Sequence, residues 1–255
     1  MPQSDSDDTS TNGEVLAIMG RFFPFDSDGI PFAGRTMVIQ EMQNQSHFDG
    51  DGGTGLNVWD GAMLLARYLE KKPDSVRSKR VLELGSGCGL VGIAAAMVGA
   101  KEVVMTDLHY ALPLMRENVL RNKSTHDEAI LISCKECDWF NPPAISNLLH
   151  TTLDDKNNEQ YPDVILVADC VWLSSLVTPL LQTLKTYAIN PSTKVIITYQ
   201  QRHWIILKGR DVHEDFWEGI HEIFDEIVEL DTEKSLGLSK PDVFYVLECR
   251  NSTSS

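Results

Sequence analysis

The sequence lacks the segments that direct a chain into a membrane or out of the cell. No uninterrupted apolar run approaches the roughly 20 residues that a bilayer requires, and no basic-then-apolar leader opens the chain. The chain lacks the even set of cysteines of a disulfide framework, and the odd number of five favours reduced thiols. We therefore expect a soluble, cytoplasmic protein, with the nucleus as an alternative location.

The spacing that a metal site needs is also missing. Cys134 and Cys137 form a lone C-x-x-C, and neither a second such pair nor a His-x-x-x-His supplies further ligands. A structural zinc site takes its full ligand set from the protein. We therefore expect no bound metal, and we interpret these two cysteines as structural or incidental.

Basic residues are few. The chain has 22 Lys and Arg against 37 Asp and Glu, which gives a formal net charge of −15 at pH 7. Such a surface repels the phosphate backbone of nucleic acids and attracts basic protein segments, although acidity also serves solubility alone. We expect a monomer whose partner is a protein, with no role for nucleic acid or membrane.

What is present is enough for one sizeable α/β domain. Of the 255 residues, 42% are apolar, and we predict a single domain over residues 22–250. Its first part, residues 22–79, is predicted to be an extension made of a hairpin and a helix. Residues 1–21 and 251–255 are expected to be disordered tails, and residues 4–11 are all Ser, Asp or Thr.

The extension contains local signals for both of its elements. Residues 22–25 and 36–40 are β-prone and are separated by a turn cluster at 26–29, which predicts an irregular hairpin. Apolar spacing after Trp59 predicts a helix with Asp60 as its N-cap. Trp59 therefore stands at the entrance to a helix.

The most informative stretch is residues 80–92, which reads R-V-L-E-L-G-S-G-C-G-L-V-G. A short apolar run enters a loop with glycines at 85, 87 and 89 and leaves it into a second apolar run, the pattern of strand, turn and helix. Because glycine has no Cβ, the loop can turn sharply and a ligand can lie against it. The helix N-terminus adds free N–H groups and a positive dipole end, so we predict a nucleotide-like ligand.

The residues around the glycines distinguish between two ligand classes. Gly87 to Gly92 spells G-x-G-x-x-G, and Asp107 ends the next predicted strand, where it would bind ribose hydroxyls; both fit a dinucleotide. Glu83 argues against a dinucleotide, because a carboxylate repels a pyrophosphate. A carboxylate suits a ligand with a cationic sulfonium and an amino group. The run Glu83 to Gly89 resembles the first motif of seven-strand S-adenosylmethionine-dependent methyltransferases.

The remaining strand signals predict the sheet. A continuous apolar run at 163–168 predicts a fully buried strand. The strands predicted at 224–230 and 242–249 are joined by a loop too short for a crossover helix, so they should pair antiparallel. Further strands are predicted at 102–107, 129–134 and 194–199. The expected fold is a seven-strand Rossmann-like methyltransferase sheet, mostly parallel with an antiparallel C-terminal strand and helices on both faces.

From about Phe22 onward the chain resembles the family 16 protein-lysine methyltransferases, which act on chaperones, elongation factors and related ATPases. The segment Val58-Trp59-Asp60-Gly61 and an Asp-x-x-aromatic motif at Asp169 carry the likeness beyond the glycine loop. The resemblance implies S-adenosylmethionine as cofactor, bound by Trp59, Gly85, Ser86, Gly87, Asp107, Trp139 and Ala168. We add Glu83 for its charge, and Asp138 because its carboxylate would bind the adenine amino group beside the Trp139 ring.

The resemblance also implies transfer of a methyl group to a lysine amine, with Asp169 and Trp172 as catalytic residues. A lysine amine has a pKa of about 10.4 and must lose its proton before it can attack. Asp169 would hold the ammonium and assist its deprotonation, while Trp172, which stands where the family usually has Tyr or Phe, would line the aliphatic stem. A helix cap before Leu173 is the structural alternative for Asp169.

Other functions stay open at this point. One is methyl transfer to a different nucleophile, such as a protein histidine or a small-molecule amine. An NAD-linked oxidoreductase is a second, and Glu83 and the terminal hairpin count against it. A non-catalytic binding module is a third, although it would be expected to have lost Asp169. None of the motifs identifies the target protein, the target lysine or the degree of methylation.

Overall fold

The computed structural model describes residues 22–23, 25–42, 53–149, 161–202, 206–207, 210–237 and 243–252. The N-terminal tail predicted at residues 1–21 lies outside this part of the chain. No helix among the described residues is long and apolar enough to cross a membrane.

A seven-stranded sheet forms the centre of the protein, in the order β10-β11-β7-β6-β3-β4-β5. The described strands are β1 (Ile30–Phe32), β2 (Arg35–Met37), β3 (Arg80–Leu84), β4 (Glu102–Asp107), β5 (Leu131–Glu136), β6 (Val164–Ala168), β7 (Lys194–Gln200), β8 (Ile206–Leu207), β9 (Arg210–Asp211), β10 (Glu226–Glu229) and β11 (Phe244–Arg250). Strands β3 to β7 pair parallel, and β11 pairs antiparallel with both β7 and β10. The predicted sheet is confirmed, including its antiparallel C-terminal strand.

Helices cover both faces of this sheet. The described α-helices are α1 (Asp60–Lys71), α2 (Leu90–Met97), α3 (Leu112–Arg121), α4 (Ile145–Leu148), α5 (Ser174–Tyr187), α6 (Val212–His221) and α7 (Thr232–Leu236). Successive residues of a strand point to opposite faces. Val81 of β3 therefore packs in a cluster with Leu64 of α1 and Ile93 of α2, whereas Leu82 packs in a second cluster with Leu184 of α5.

The prediction for the N-terminal hairpin was wrong in its position. The hairpin joins β1 to β2 through Ala33 and Gly34, which both have positive φ angles of 48° and 73°. Such a pair of residues forms a tight turn that matches the twist of the strands, whereas the turn cluster at 26–29 lies before the hairpin. Phe22 and Phe23 do not belong to a strand; their backbone N–H groups donate to the Asp60 carboxylate at 2.7 and 2.9 Å.

Those two bonds also explain why Asp60 is not the N-cap of α1. The N-cap is Trp59, and no side chain caps the helix. The Asp60 carboxylate is buried and holds the segment that precedes the hairpin.

The sheet brings the carboxyl ends of four strands, β3, β4, β6 and β7, together. Leu84 of β3 pairs with Val167 of β6, and Ala168 of β6 pairs with Thr198 of β7, while β4 continues past the end of β3 to Asp107. Ligands of open α/β sheets bind outside the carboxyl ends of the strands. The loops that follow these strands are therefore the place to look for a site.

Candidate active site

The loop between β3 and α2 has the backbone that its glycines predicted. Gly85, Gly87 and Gly89 have φ angles of 68°, 53° and 83°, in the left-handed region that favours glycine. A Cβ at Gly85 would lie 2.6 Å from the Sγ of Cys170 and 3.0 Å from the Cζ2 of Trp139. The loop is therefore enclosed so closely that only glycine fits at this position.

A short turn packs against the other side of the loop. A Cβ at Gly87 would lie 2.7 Å from the carbonyl oxygen of Gly55, which belongs to a 3-10 turn at Gly53–Leu56. The Gly55 N–H donates to the Tyr110 hydroxyl at 3.3 Å. This turn thus approaches the glycine loop at backbone distance and is tied to the segment that follows β4.

The carboxylate of Asp107 reaches the glycine loop. Its Oδ2 accepts a hydrogen bond from the Gly87 N–H at 2.7 Å, and its Oδ1 accepts one from the Leu108 N–H at 2.7 Å. Burial raises the pKa of this carboxyl, although the two N–H donors act in the opposite direction. Each oxygen keeps a second lone pair, so the carboxylate can still bind a pair of hydroxyls.

Ser86 ties the loop to β4. Its N–H donates to the Thr106 carbonyl at 2.9 Å, and its hydroxyl accepts from the Thr106 N–H at 3.0 Å. These paired bonds extend the ladder of the sheet into the glycine loop. Ser86 therefore fixes the start of the loop through both its backbone and its side chain.

Glu83 lies beneath the loop on the face covered by α2. It is 1% exposed, and its Oε2 has no hydrogen-bond partner. A Cβ at Gly92 would lie 2.8 Å from that oxygen. Burial raises the pKa of Glu83 to about 8, while the Ser86 hydroxyl and the Gly92 N–H lower it in part. A buried acceptor without a donor is costly, so this oxygen is suited to a donor from a ligand.

The predicted adenine contacts lie beside Gly85. The Trp139 ring packs against this glycine and is half-buried in the cluster of the α5 face. The Oδ1 of Asp138 accepts from the Phe140 N–H at 2.9 Å, which fixes the turn that carries Trp139. The structure therefore places an aromatic ring and an acid together at one end of the glycine loop.

Asp169 follows β6 directly, and three residues donate hydrogen bonds to its carboxylate. Its Oδ1 accepts from the Arg202 Nη1 at 3.0 Å and from the Gln200 N–H at 3.3 Å, and its Oδ2 accepts from the Gly61 N–H at 3.1 Å. Its φ of 55° is unusual for a residue with a side chain. Strained backbone of this kind is concentrated at functional sites.

The alternative role for Asp169, as a helix cap, was wrong. Helix α5 begins at Ser174, its N-cap is Leu173, and no side chain caps it. The carboxylate instead forms a buried ion pair with Arg202, whose guanidinium carbon lies 5.4 Å from the centre of the Trp59 ring. Trp172 is half-buried in the loop that joins β6 to α5.

The candidate site shows no metal-binding set. No group of three or more His, Cys, Asp and Glu residues that could hold a metal is found in the described ranges. Cys134 and Cys137 have free thiols, and the Cys137 Sγ lies 3.7 Å from the Tyr187 hydroxyl. That contact agrees with a structural interpretation of Cys137.

Comparison with known proteins assigns the family. The Methyltransf_16 model, described as lysine methyltransferase, matches residues 40–222. The chain belongs to this lysine methyltransferase family. The resemblance drawn from the glycine loop, Trp59 and Asp169 is thereby confirmed.

Two relatives of this family member are lysine methyltransferases of animals. The chain is 32% identical over 162 residues to EEF1A lysine methyltransferase 3 of Xenopus tropicalis, and 34% identical over 161 residues to protein N-lysine methyltransferase METTL21A of Mus musculus. The two matches cover 64% and 63% of this chain. They span 65% of the length of each relative, slightly less than two thirds.

A solved structure supports the fold of this family member. The T. thermophilus 16S rRNA N2 G1207 methyltransferase RsmC, in complex with AdoMet and guanosine, is similar with a TM-score of 0.53. The likeness covers 88% of this chain and 50% of that chain at 18% identity. At this identity the likeness concerns the fold alone.

The sequence analysis did not predict three residues of the site in this methyltransferase-family chain. Gly55 belongs to a glycine-rich stretch that precedes Trp59, and Cys170 immediately follows Asp169, so proximity to known motifs was a usable signal for both. The sequence signal for Arg202 was weaker, because it consisted only of a cationic residue just after a predicted strand. Its pairing with Asp169 depends on two strands ending side by side.

Proposed function

We propose that this protein is an S-adenosylmethionine-dependent methyltransferase that modifies the side-chain amine of a lysine in a protein substrate. The observation that carries the proposal is the glycine loop between Trp139 on one side and Asp107 on the other, with the unpaired oxygen of Glu83 beneath it. Family membership and the lysine methyltransferase names of two relatives support it.

The residues present fit this cofactor. Asp107 would bind the ribose hydroxyls, and Asp138 and Trp139 would bind the adenine. Glu83 would accept from the aliphatic ammonium of the cofactor's amino-acid end, a group that a nicotinamide dinucleotide lacks. The remaining contacts would come from Trp59, Gly85, Ser86, Gly87 and Ala168. When bound, the cofactor supplies an electrophilic methyl group on a sulfonium.

The lysine must arrive as a neutral amine aligned with that methyl group. Asp169 is the proposed residue for this task. Its Oδ2 accepts a hydrogen bond from the Gly61 N–H, and a second lone pair on that oxygen would accept an N–H of the amine. Its side chain has no exposed surface, so the loop after β6 must open locally to admit the substrate.

Trp172 would form the wall of the lysine channel. It lies three positions after Asp169 in the family's Asp-x-x-aromatic motif, on the same loop. An indole ring covers the aliphatic stem of a lysine and offers a π-face to an ammonium. The larger ring in place of Tyr or Phe would narrow that channel.

The charge of the chain supports a basic protein segment as the partner. The net charge of −15 disfavours nucleic acid and favours a lysine-bearing surface. We further propose a monomer of the cytoplasm, which the five free thiols support. Transfer to a protein histidine or to a small-molecule amine is the second candidate.

The test uses radiolabelled S-adenosylmethionine. The purified protein is incubated with the label and a cell extract, and labelled proteins are digested and analysed by mass spectrometry. We expect one dominant labelled protein that carries the methyl group on a lysine. Label on histidine or only on small molecules would support the second candidate. Calorimetric binding of NAD but not of S-adenosylhomocysteine would overturn the assignment to methyl transfer.

A further inference from the structure

Arg202 is a buried cation at the carboxyl edge of the sheet. Its side chain is 4% exposed, and that of its partner Asp169 is 0% exposed. The Nη1 atom donates to the Oδ1 of Asp169 at 3.0 Å, and the guanidinium lies over the Trp59 ring. A buried charge is costly, so a guanidinium in this position is expected to use its donors fully.

One of those donors is not used. The Nε of Arg202 is buried and has no hydrogen-bond acceptor. A buried N–H left without an acceptor costs the full desolvation of that group, more so on a charged side chain. Native structures contain few such groups, and each calls for a specific explanation.

Another of the buried polar atoms without a hydrogen-bond partner, the Oε2 of Glu83, is an acceptor instead of a donor. The Oε2 of Glu83 is an acceptor without a donor, next to Gly92 of α2, and the Asp169 carboxylate that holds Arg202 is bonded to Gly61 of α1. Helices α1 and α2 pack against each other on the same face of the sheet. A buried donor on a cation and a buried acceptor on an acid match the two ends of an amino-acid zwitterion.

We propose that Arg202 recognises the carboxylate of the cofactor's amino-acid end by donating from Nε, while Nη1 stays on Asp169. The inference rests on the proposed function. The carboxylate is the single anionic group of S-adenosylmethionine. Hydrogen bonds between a guanidinium and a carboxylate are charge-assisted and are among the strongest in proteins. Asp169 then gains a positioning role, because it orients the guanidinium that meets the cofactor.

The experiment compares two ligands that differ in one group. Calorimetry measures the affinity of the full chain for S-adenosylhomocysteine and for 5′-S-(3-aminopropyl)-5′-thioadenosine, which lacks only the carboxylate. The variants are Arg202→Met and Arg202→Lys. The control is Arg250→Met, which removes an arginine that pairs with Glu226 at the opposite edge of the same sheet. Circular dichroism verifies that each variant is folded.

We expect the wild type and Arg250→Met to bind S-adenosylhomocysteine at least about tenfold more tightly than the decarboxylated ligand. Arg202→Met should lose this preference and bind the two ligands about equally. Arg202→Lys keeps the charge without the planar donors and should retain part of the preference. If Arg202→Met does not fold, the comparison of the two ligands is made with Arg202→Lys.

Two results would overturn the inference and leave the proposed function intact. The first is a wild type that binds the two ligands equally tightly. The second is an Arg202→Met protein that weakens both by the same factor, as a purely structural role predicts. A wild type that binds neither ligand would instead overturn the proposed function, and the inference with it.

Discussion

The Thr198 hydroxyl donates to the carbonyl oxygen of Gly61 at 2.7 Å, while the N–H of the same glycine donates to Asp169. A single residue at the start of α1 is thus bonded to the ends of β6 and β7. Because helix α1 begins one residue before Gly61, these two bonds fix the position of Trp59 relative to the sheet. The N-terminal helix is therefore part of the candidate site and more than a support for it.

Substitution of Gly61 should disturb this arrangement. A Cβ there would lie 2.8 Å from the Cβ of Asp169 and 2.9 Å from its Cγ. We expect Gly61→Ala to lower the free energy of unfolding by about 1 to 3 kcal/mol, the usual cost of overpacking, and to reduce methylation strongly. Urea unfolding and turnover measure the two effects. Gly34→Ala is the control for a general loss of stability: its φ of 73° strains an alanine, but nothing lies within 4 Å of its added Cβ, and it lies in the β1–β2 turn. Turnover of Gly61→Ala equal to that of Gly34→Ala would contradict the prediction.

Asp107→Asn should weaken the binding of S-adenosylmethionine. The substitution removes the charge that binds the Gly87 N–H and the proposed ribose hydroxyls. We expect the KM for S-adenosylmethionine to rise about tenfold or more, and the rate at saturating cofactor to recover much of its wild-type value. Steady-state kinetics with varied cofactor separates the two. A lowered kcat with an unchanged KM would place Asp107 outside cofactor binding.

Glu83 should make stability depend on pH. Its pKa is raised from 4.5 in the unfolded chain to about 8 in the folded protein, because the carboxyl is buried. Between these values the folded state holds a proton that the unfolded state has released, so stability falls as the pH rises and the whole cost is present above about pH 8. Glu83→Gln removes the ionisation. The stability of the variant relative to wild type should be higher at about pH 9 than at about pH 5, by on the order of 4 kcal/mol.

Urea unfolding at these two pH values checks the Glu83 prediction. Glu226→Gln is the matched control, because the Arg250 hydrogen bond lowers the pKa of this exposed carboxyl and it stays ionised at both pH values. The stability of Glu226→Gln relative to wild type should therefore be the same at both pH values. A pH dependence of Glu83→Gln that follows the wild-type curve would show that Glu83 is ionised in the folded protein.

Trp139→Ala tests the proposed adenine site. Loss of stacking on a base typically weakens binding by about 1 to 3 kcal/mol, so the affinity for S-adenosylhomocysteine should fall by a corresponding factor. Trp217→Ala is the control, since Trp217 packs against His213 and Tyr245 instead of the glycine loop. Unchanged affinity together with lowered stability in Trp139→Ala would make Trp139 a core residue alone.

The sequence was informative where a local pattern determines structure. The apolar run before Asp169 predicted β6, and the alternating glycines after Glu83 predicted the turn into α2, because in both places neighbouring residues decide the backbone. The hairpin was misplaced because the Asp and Gly cluster at 26–29 is a stronger turn signal than Ala33-Gly34, and the pairing of β1 with β2 outweighed it.

Interactions between distant segments could not be predicted in this way. Arg202 and Asp169 are separated by a helix and a strand, and their ion pair exists only because β6 and β7 end side by side. The bond from Gly61 to Asp169 likewise needs α1 to dock on the sheet. Single-sequence patterns identify the strands that meet at this edge, whereas the partners of each side chain depend on the assembled fold.

The position of β11 has a consequence for synthesis of the chain. This strand lies inside the sheet, between β7 and β10, yet it follows α6, β10 and α7 in the sequence. Until the ribosome has released it, β7 is an open edge whose N–H and C=O groups can pair with another chain. The nascent protein is thus exposed to strand-to-strand aggregation until β11 has been made and can pair with β7. A chain truncated before Phe244 would retain that open edge permanently.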